Sequence, residues 1–440
     1  MVFNSITFLF WFLPAFLILL YICKLRVRNA FILLASFFVC AWGSEQSLSF
    51  LVGFILVNWA FGLLLDKHKN GLPLAIVCDV ALLCLFKYFG VSEEIPFGLS
   101  FYTLSGISYC CDVAKGKSKA AKNPGKLALY LAFFPKLCMG PIVQYQDFEK
   151  QFNHERISAS NTADGLFRFS IGLAKKIIIA GSLVDMTNYC WIDAPQSVAS
   201  AWLGLIGFSL QLYFDFSGYS DMAIGLSEVC GYHFKENFIY PYQSSSLSEF
   251  WSHWHVSLGA WFKEYLYFPL GGSRKSKAWT LFNLFIVWLA TGIWHGNNLS
   301  LICWGLFIFI FVCIEHFTEI KTKLPKAIRI ILTDLIVVLG WVFFNSQTVP
   351  EAIAYFGYLF GAANAGTSGI STMYIANTYP MIIIAILGST SLPKKLANKI
   401  FKKNTAVTTI AKCIFMIALL CASVAFIVAL GYTPFIYESF

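Results

Sequence analysis

Long apolar runs separated by short polar clusters set the pattern along this chain. Residues 6–23, 30–42, 49–65 and 72–88 are four such runs in close succession, and each approaches the roughly 20 residues that a helix needs to cross a hydrocarbon core. The apolar positions are continuous rather than alternating, which predicts helices and not the strands of a membrane barrel. The polar breaks differ in sign. Lys24, Arg26 and Arg28, and later Lys67, His68 and Lys69, are basic, whereas GSEQS and the break at Glu93 and Glu94 are not. No basic stretch precedes the first run, so it reads as a retained span with an outer N-terminus rather than a cleaved leader.

Farther along, the runs become less regular. Residues 97–111 (FGLSFYTLSGISYCC) are too short and too rich in Ser, Thr and Gly for a lipid-facing span, and predict a re-entrant or bundle-buried helix. A loop with Lys115, Lys117, Lys119, Lys122 and Lys126 follows. Next comes FFPKLCMGPIVQYQDF, in which Pro135, Gly140 and Pro141 interrupt the helix. Helices are expected over 165–183 and 198–212. The first carries Lys175 and Lys176, expected to snorkel to an interface rather than face a polar cavity. Asp215 and Asp221 lie beside Tyr213, Ser217 and Ser220. They read either as metal ligands or as buried groups hydrogen-bonded to broken backbone, and the second reading is preferred because a hard cation wants more oxygens than this stretch supplies.

Further spans are expected at 279–293, 301–314, 330–344 and 410–430, with a short apolar segment at 380–387, an amphipathic one at 352–360 and basic runs at 321–329 and 394–403. Threading from an outer N-terminus puts the clusters at Lys24, Lys67, Lys115, Arg274, Lys321 and Lys394 on one side, the cytoplasmic one. The expectation is a single all-α integral membrane domain over residues 1–440, a polytopic bundle of about ten to twelve spanning or re-entrant helices.

Composition sharpens this in two places. Charged residues make up 12% of the chain, about half the share of a soluble domain, which excludes that class. The formal net charge of +9 is spread over short inter-helical clusters, so it reads as a topology signal and not as a nucleic-acid surface. Thirteen cysteines lie mostly inside apolar runs without a CxxC pair, so neither a zinc site nor a disulfide framework is indicated. The adjacent Cys110 and Cys111 are the candidates for acylation.

Candidate chemistry concentrates between residues 250 and 296. Three of seven histidines, His253, His255 and His295, fall there among tryptophans and apolar runs, where an imidazole is costly and calls for a function. Ser246 followed by Glu249 is a capping-box pattern, predicting a helix from Leu247 to about Tyr267, stopped by Pro269, Gly271 and Gly272. On that helix Trp251, Trp254, His255, Leu258 and Phe262 share a face, turning His255 inward, with His253 nearly opposite beside Ser257, Ala260 and Glu264. His295 ends another helix, on a face with Trp288, Thr291 and Gly292. From the residues alone, two inward histidines amid broken helices fit satisfied core residues and functional groups equally well.

The chain resembles the membrane-bound O-acyltransferase family, and within it the bacterial alginate O-acetyltransferase-like branch. The resemblance is carried by PFGLSFYTLSGISYCCD, FFPKLCMGPIVQYQDF, FRFSIGLAKK, YFDFSGYSDMAIGL, ENFIYPYQSSSLSEFWSHWHVSLGAWFKEYLYFPLGGSRK, TGIWHG, GWVFFN and the terminal FIYESF, which together span most of the chain in order. It implies that His295, in the Trp-His-Gly motif, is the family's catalytic histidine, and that His255, in the Trp-His-x-Ser motif, is a second functional position. Trp254, Trp294, Ser257, Asp215 and Asp221 are then candidates for lining the substrate site or a central tunnel. The chain departs from the family's pattern at Ser252, His253 and Asn297.

The resemblance further implies a multi-pass enzyme of the bacterial cytoplasmic (inner) membrane. Its acyl group, acetyl by expectation, would pass from a cytoplasmic thioester donor to a hydroxyl of an extracytoplasmic polysaccharide or intermediate acceptor. The donor would be acetyl-CoA or an acylated carrier acting as co-substrate, with no permanently bound cofactor and no metal. Partners would be the lipid bilayer, a periplasmic esterase-like acetyltransferase and a cytoplasmic acyl carrier, without nucleic acid. Two rivals stand: D-alanyl transfer from an acylated carrier protein, against which FPLGGSRK argues, and a proton-coupled exporter of a glycolipid or acyl carrier, against which the lack of related halves argues.

Overall fold

The computed structural model describes residues 2–91, 95–152, 157–192, 197–318, 324–362, 369–400 and 405–430. Glu93, Glu94, Lys321, Lys323, Lys403 and the terminal FIYESF lie outside the described residues. Every regular element among the described residues is helical. The chain forms two compact units, Met1–Phe169 with Ser220–Lys235, and Ser170–Tyr219 with Glu236–Phe440. Six helices are long and apolar enough to cross a membrane among the described residues, joined by three shorter apolar ones at Phe8–Ile22, Arg28–Trp42 and Thr378–Gly388.

In the first unit the helices follow the apolar runs: Phe8–Ile22, Arg28–Gly43, Glu45–Lys67 and Leu72–Lys87. The Ser-rich stretch becomes the helix Leu99–Ala114, in which every residue from 101 to 114 is buried. The bundle-buried alternative is therefore the one realised. Some of its polar groups find partners inside, as where Lys136 Nζ donates to Ser105 Oγ at 3.1 Å and lies 4.3 Å from the centre of the Tyr130 ring. The proline run breaks as expected, with Pro124–Ala132 ending before a short turn at Phe134–Leu137.

In the second unit, Lys277–His295 and Leu299–Phe317 pack backbone to backbone. A Cβ at Gly292 would sit 2.7 Å from the Leu301 carbonyl oxygen, and one at Gly305 2.5 Å from that of Trp288, so no larger residue permits this approach. Lys326–Asn345 completes the three-helix wall, with Trp304 and Trp341 fully buried in it.

Two expectations are corrected here. The segment carrying both aspartates is not broken: Val198–Val229 is one helix of 32 residues, far longer than the expected 198–212. On this helix Asp215 and Asp221 each pair with a cationic side chain. Asp215 forms a buried ion pair with Lys176, and Asp221 accepts from Arg168 Nε at 3.1 Å and Nη2 at 2.8 Å. Lys176 therefore does not snorkel. A close contact between Gly218 and the Gly172 carbonyl brings its helix against that of Asp215, and a buried carboxylate within reach outweighs extension to an interface.

Candidate active site

The site is built from the second unit, beginning at Ser246. Its side chain caps the helix Leu247–His253, accepting from the Glu249 amide at 3.1 Å, and the Glu249 carboxylate returns to the Ser245 amide at 2.7 Å. The cap is as the sequence predicts; the length is not. The helix ends after seven residues, Trp254 is extended, and His255 takes a left-handed conformation at φ 46°, ψ 51° before a new helix, Val256–Phe262. A shared helical face thus does not account for the burial of Trp254 and His255. Left-handed backbone costs a non-glycine residue of order 1–3 kcal/mol, and here it is held from outside. Asn237 accepts the Val256 amide on its carbonyl at 3.0 Å and the Ser257 amide on Oδ1 at 2.9 Å, while the Ile239 amide donates to the His253 carbonyl at 2.9 Å.

His255 is 4% exposed and stands edge-on to Phe216, ring centres 4.6 Å apart. Because Asn237 Oδ1 already accepts from Ser257, it is fixed as an acceptor toward His255 Nδ1 at 3.4 Å, which puts the imidazole proton on Nδ1. Ser257 Oγ lies 3.5 Å from the same nitrogen. Nε2 is buried with no hydrogen-bond partner. Burial, and after it the proximity of His295, pushes the pKa well below the ordinary 6.5, so the ring is neutral.

His295 is the last residue of its helix and 5% exposed. Its Nδ1 lies 2.7 Å from the Thr291 carbonyl oxygen. A carbonyl only accepts, so Nδ1 carries the proton and, in the neutral ring, the lone pair sits on Nε2. Edge-on rings enclose it: Trp294 at 4.9 Å, Trp304 at 5.0 Å and Phe344 at 5.5 Å. Trp294 also approaches His255, at 6.4 Å between ring centres, and so stands beside both imidazoles. Trp254 extends the aromatic wall against Phe250 at 5.7 Å and Trp341 at 5.0 Å.

Of the residues singled out from sequence, the structure gathers His295, His255, Trp294, Trp254 and Ser257. It sets Asp215 and Asp221 in ion pairs of their own, and His253 turns to Ser244 Oγ at 3.2 Å. Asn237, Phe216 and Trp304 were not anticipated. Asn237 lies within the ENFIYPYQ motif, but nothing in its local spacing points to His255.

The fold is that of a polytopic helical membrane protein that encloses two imidazoles. This chain belongs to the membrane-bound O-acyltransferase family, whose model matches residues 123–349, a span that contains both histidines. It is an O-acyltransferase. It is 38% identical over 390 residues to a protein of Pseudomonas syringae pv. tomato named "Probable alginate O-acetylase AlgI", covering 82% of this chain and 75% of the relative. It is 29% identical to the "Peptidoglycan O-acetyltransferase" of Helicobacter pylori over 100% of this chain and 98% of the relative. A more distant likeness, 28% over 52% of this chain and 61% of the relative, is to the "Teichoic acid D-alanyltransferase" of Bacillus subtilis.

Proposed function

We propose that the protein moves an acetyl group from a cytoplasmic thioester to a hydroxyl of an extracytoplasmic polysaccharide, or of an intermediate acceptor, with His295 as general base. One observation carries the assignment: the Thr291 carbonyl holds the proton of His295 on Nδ1, leaving Nε2 as the basic nitrogen within an aromatic enclosure. Nε2 takes the proton of the attacking hydroxyl as its oxygen bonds to the thioester carbonyl carbon. The C–S bond then breaks, and the thiolate leaves with the proton returned from the imidazolium. A positioned histidine acting this way is worth about 10²- to 10⁴-fold in rate. His255, neutral and with an unpaired Nε2, accepts a hydrogen bond and orients the acceptor.

Acetyl is preferred to D-alanyl because the likeness to O-acetyl transferring relatives extends over 82% to 100% of this chain, against 52% for the D-alanyltransferase. With the basic clusters of the loops facing the cytoplasm, the reading places the chain in the bacterial inner membrane. Donor and acceptor would meet at the histidines through a passage in the bundle. Resemblance adds a periplasmic esterase-like partner that completes transfer to the polymer, and acetyl-CoA or an acylated carrier as donor. The test is transfer of label from acetyl-CoA, or from an acetylated carrier, by the purified protein. Label that moves only from a D-alanyl carrier would replace the reading.

A further inference from the structure

We propose that Glu315, near the end of the Leu299–Phe317 helix, is a positioning residue that sets the place of His255. The helix leading to His255 has only seven residues, roughly two turns, so an error where it starts is carried to the histidine that follows it. Its opening amides need acceptors from outside the helix. Ser246 supplies one, to Glu249. The other two come from a residue far along the chain: one carboxylate oxygen of Glu315 accepts the Leu247 amide, and the second accepts the Ser248 amide at 3.0 Å and the Ser248 hydroxyl at 2.6 Å. A carboxylate at that end is also favoured by the helix dipole.

The placement of Glu315 links it to the second histidine. Trp304 lies eleven residues earlier on the same helix, three turns and about 20° of rotation away, so both project from one face. Trp304 packs edge-on to His295 at 5.0 Å and to Trp251 of the short helix at 5.9 Å. One helix therefore fixes the ring beside His295 through Trp304 and the start of the His255 segment through Glu315. This role depends on His255 being the residue that orients the acceptor.

The experiment uses full-length purified protein, radiolabelled acetyl-CoA and alginate oligosaccharides as the probe acceptor. Glu315→Ala is expected to raise the KM for the oligosaccharide about tenfold and to leave kcat within about threefold of wild type. Glu315→Gln, which retains one oxygen, falls between. The decisive variant is the double one. If Glu315 acts through His255, Glu315→Ala with His255→Gln loses no more than His255→Gln alone, whereas independent sites would multiply their losses. Multiplied losses, or a Glu315→Ala protein with less folded yield but wild-type KM, overturn the inference alone. Should Glu315→Ala not fold, the same cycle is run with Glu315→Gln. A His255→Gln enzyme with wild-type kinetics overturns the orienting role of His255 and this inference with it, whereas a wild-type protein that transfers label from neither acetyl-CoA nor an acetylated carrier overturns the functional reading.

Discussion

Asp215 and His255 are both buried polar side chains of the second unit, each about 4% exposed, yet their surroundings answer opposite needs. Asp215 faces the Lys176 ammonium, held against it by helices that touch through Gly172 and Gly218. His255 is turned by a left-handed backbone into aromatic rings, with one nitrogen near Asn237 and the other left without a partner. An ion pair inside a protein satisfies itself and holds two helices in register. A neutral imidazole with an unpaired nitrogen keeps its hydrogen-bonding capacity for something else. Burial of a polar group is therefore a poor guide to chemistry, and the better guide is whether the surrounding protein has used the group up.

The contrast has consequences of graded size. The largest is at His295, where His295→Gln keeps a polar side chain but removes the base; transfer is expected to fall by about 10²-fold or more while the protein still elutes as one folded species. Turnover near wild type would break the contrast at its functional end. Next, Asp215→Ala removes the carboxylate that faces the buried Lys176 ammonium and is expected to cost about 3–5 kcal/mol of stability. Thermal unfolding in detergent reads the loss. The double replacement Lys176→Met with Asp215→Leu should restore most of it. Loss of transfer per folded molecule in that rescued pair would give Asp215 a part in chemistry.

A smaller and more diagnostic effect concerns His255 and pH. Because burial keeps its folded pKa well below 6.5, the unfolded chain binds a proton that the folded chain refuses once pH drops below about 6.5. Stability attributable to this residue is whole above that pH, and is lost on acidification at up to about 1.4 kcal/mol per pH unit. The fall in melting temperature between pH 7.5 and 5.5 should thus be smaller in His255→Gln than in wild type; an equal fall would mean that the ring is not held neutral. Smallest of all is Asp221→Asn. Its partner Arg168 is about a quarter exposed, and solvent screening limits the expected cost to about 1 kcal/mol or less.

The spans and the cap were legible because their causes are local. Continuous apolar runs specify helices by themselves, and Ser246 with Glu249 marks a helix start within four residues. The length of Val198–Val229 was hidden because Tyr213, Asp215 and Ser217 interrupt its apolar pattern, and the Lys176 that neutralises Asp215 lies on another helix. The break at His255 was hidden more deeply. No glycine or proline stands there, and the group that holds the left-handed turn is Asn237, eighteen residues upstream and joined to it only in the folded chain. The two histidines were found for their rarity in an apolar setting. That reasoning brings out the residue but not the support around it.

The unpartnered Nε2 of His255 also bears on what kind of small molecule the site would hold. In a desolvated enclosure of indole and phenyl rings a lone pair without a donor is a standing deficit, and a compound relieves it by bringing an N–H or O–H group. Uncharged planar donors such as phenols, anilides and hydroxamates meet this demand and also stack on the walls. A carboxylate or sulfonate of the same size would set anion against lone pair and give up its hydration for nothing. An inhibitor series for this enzyme should accordingly gain affinity with each well-aimed neutral donor and lose it with each negative charge.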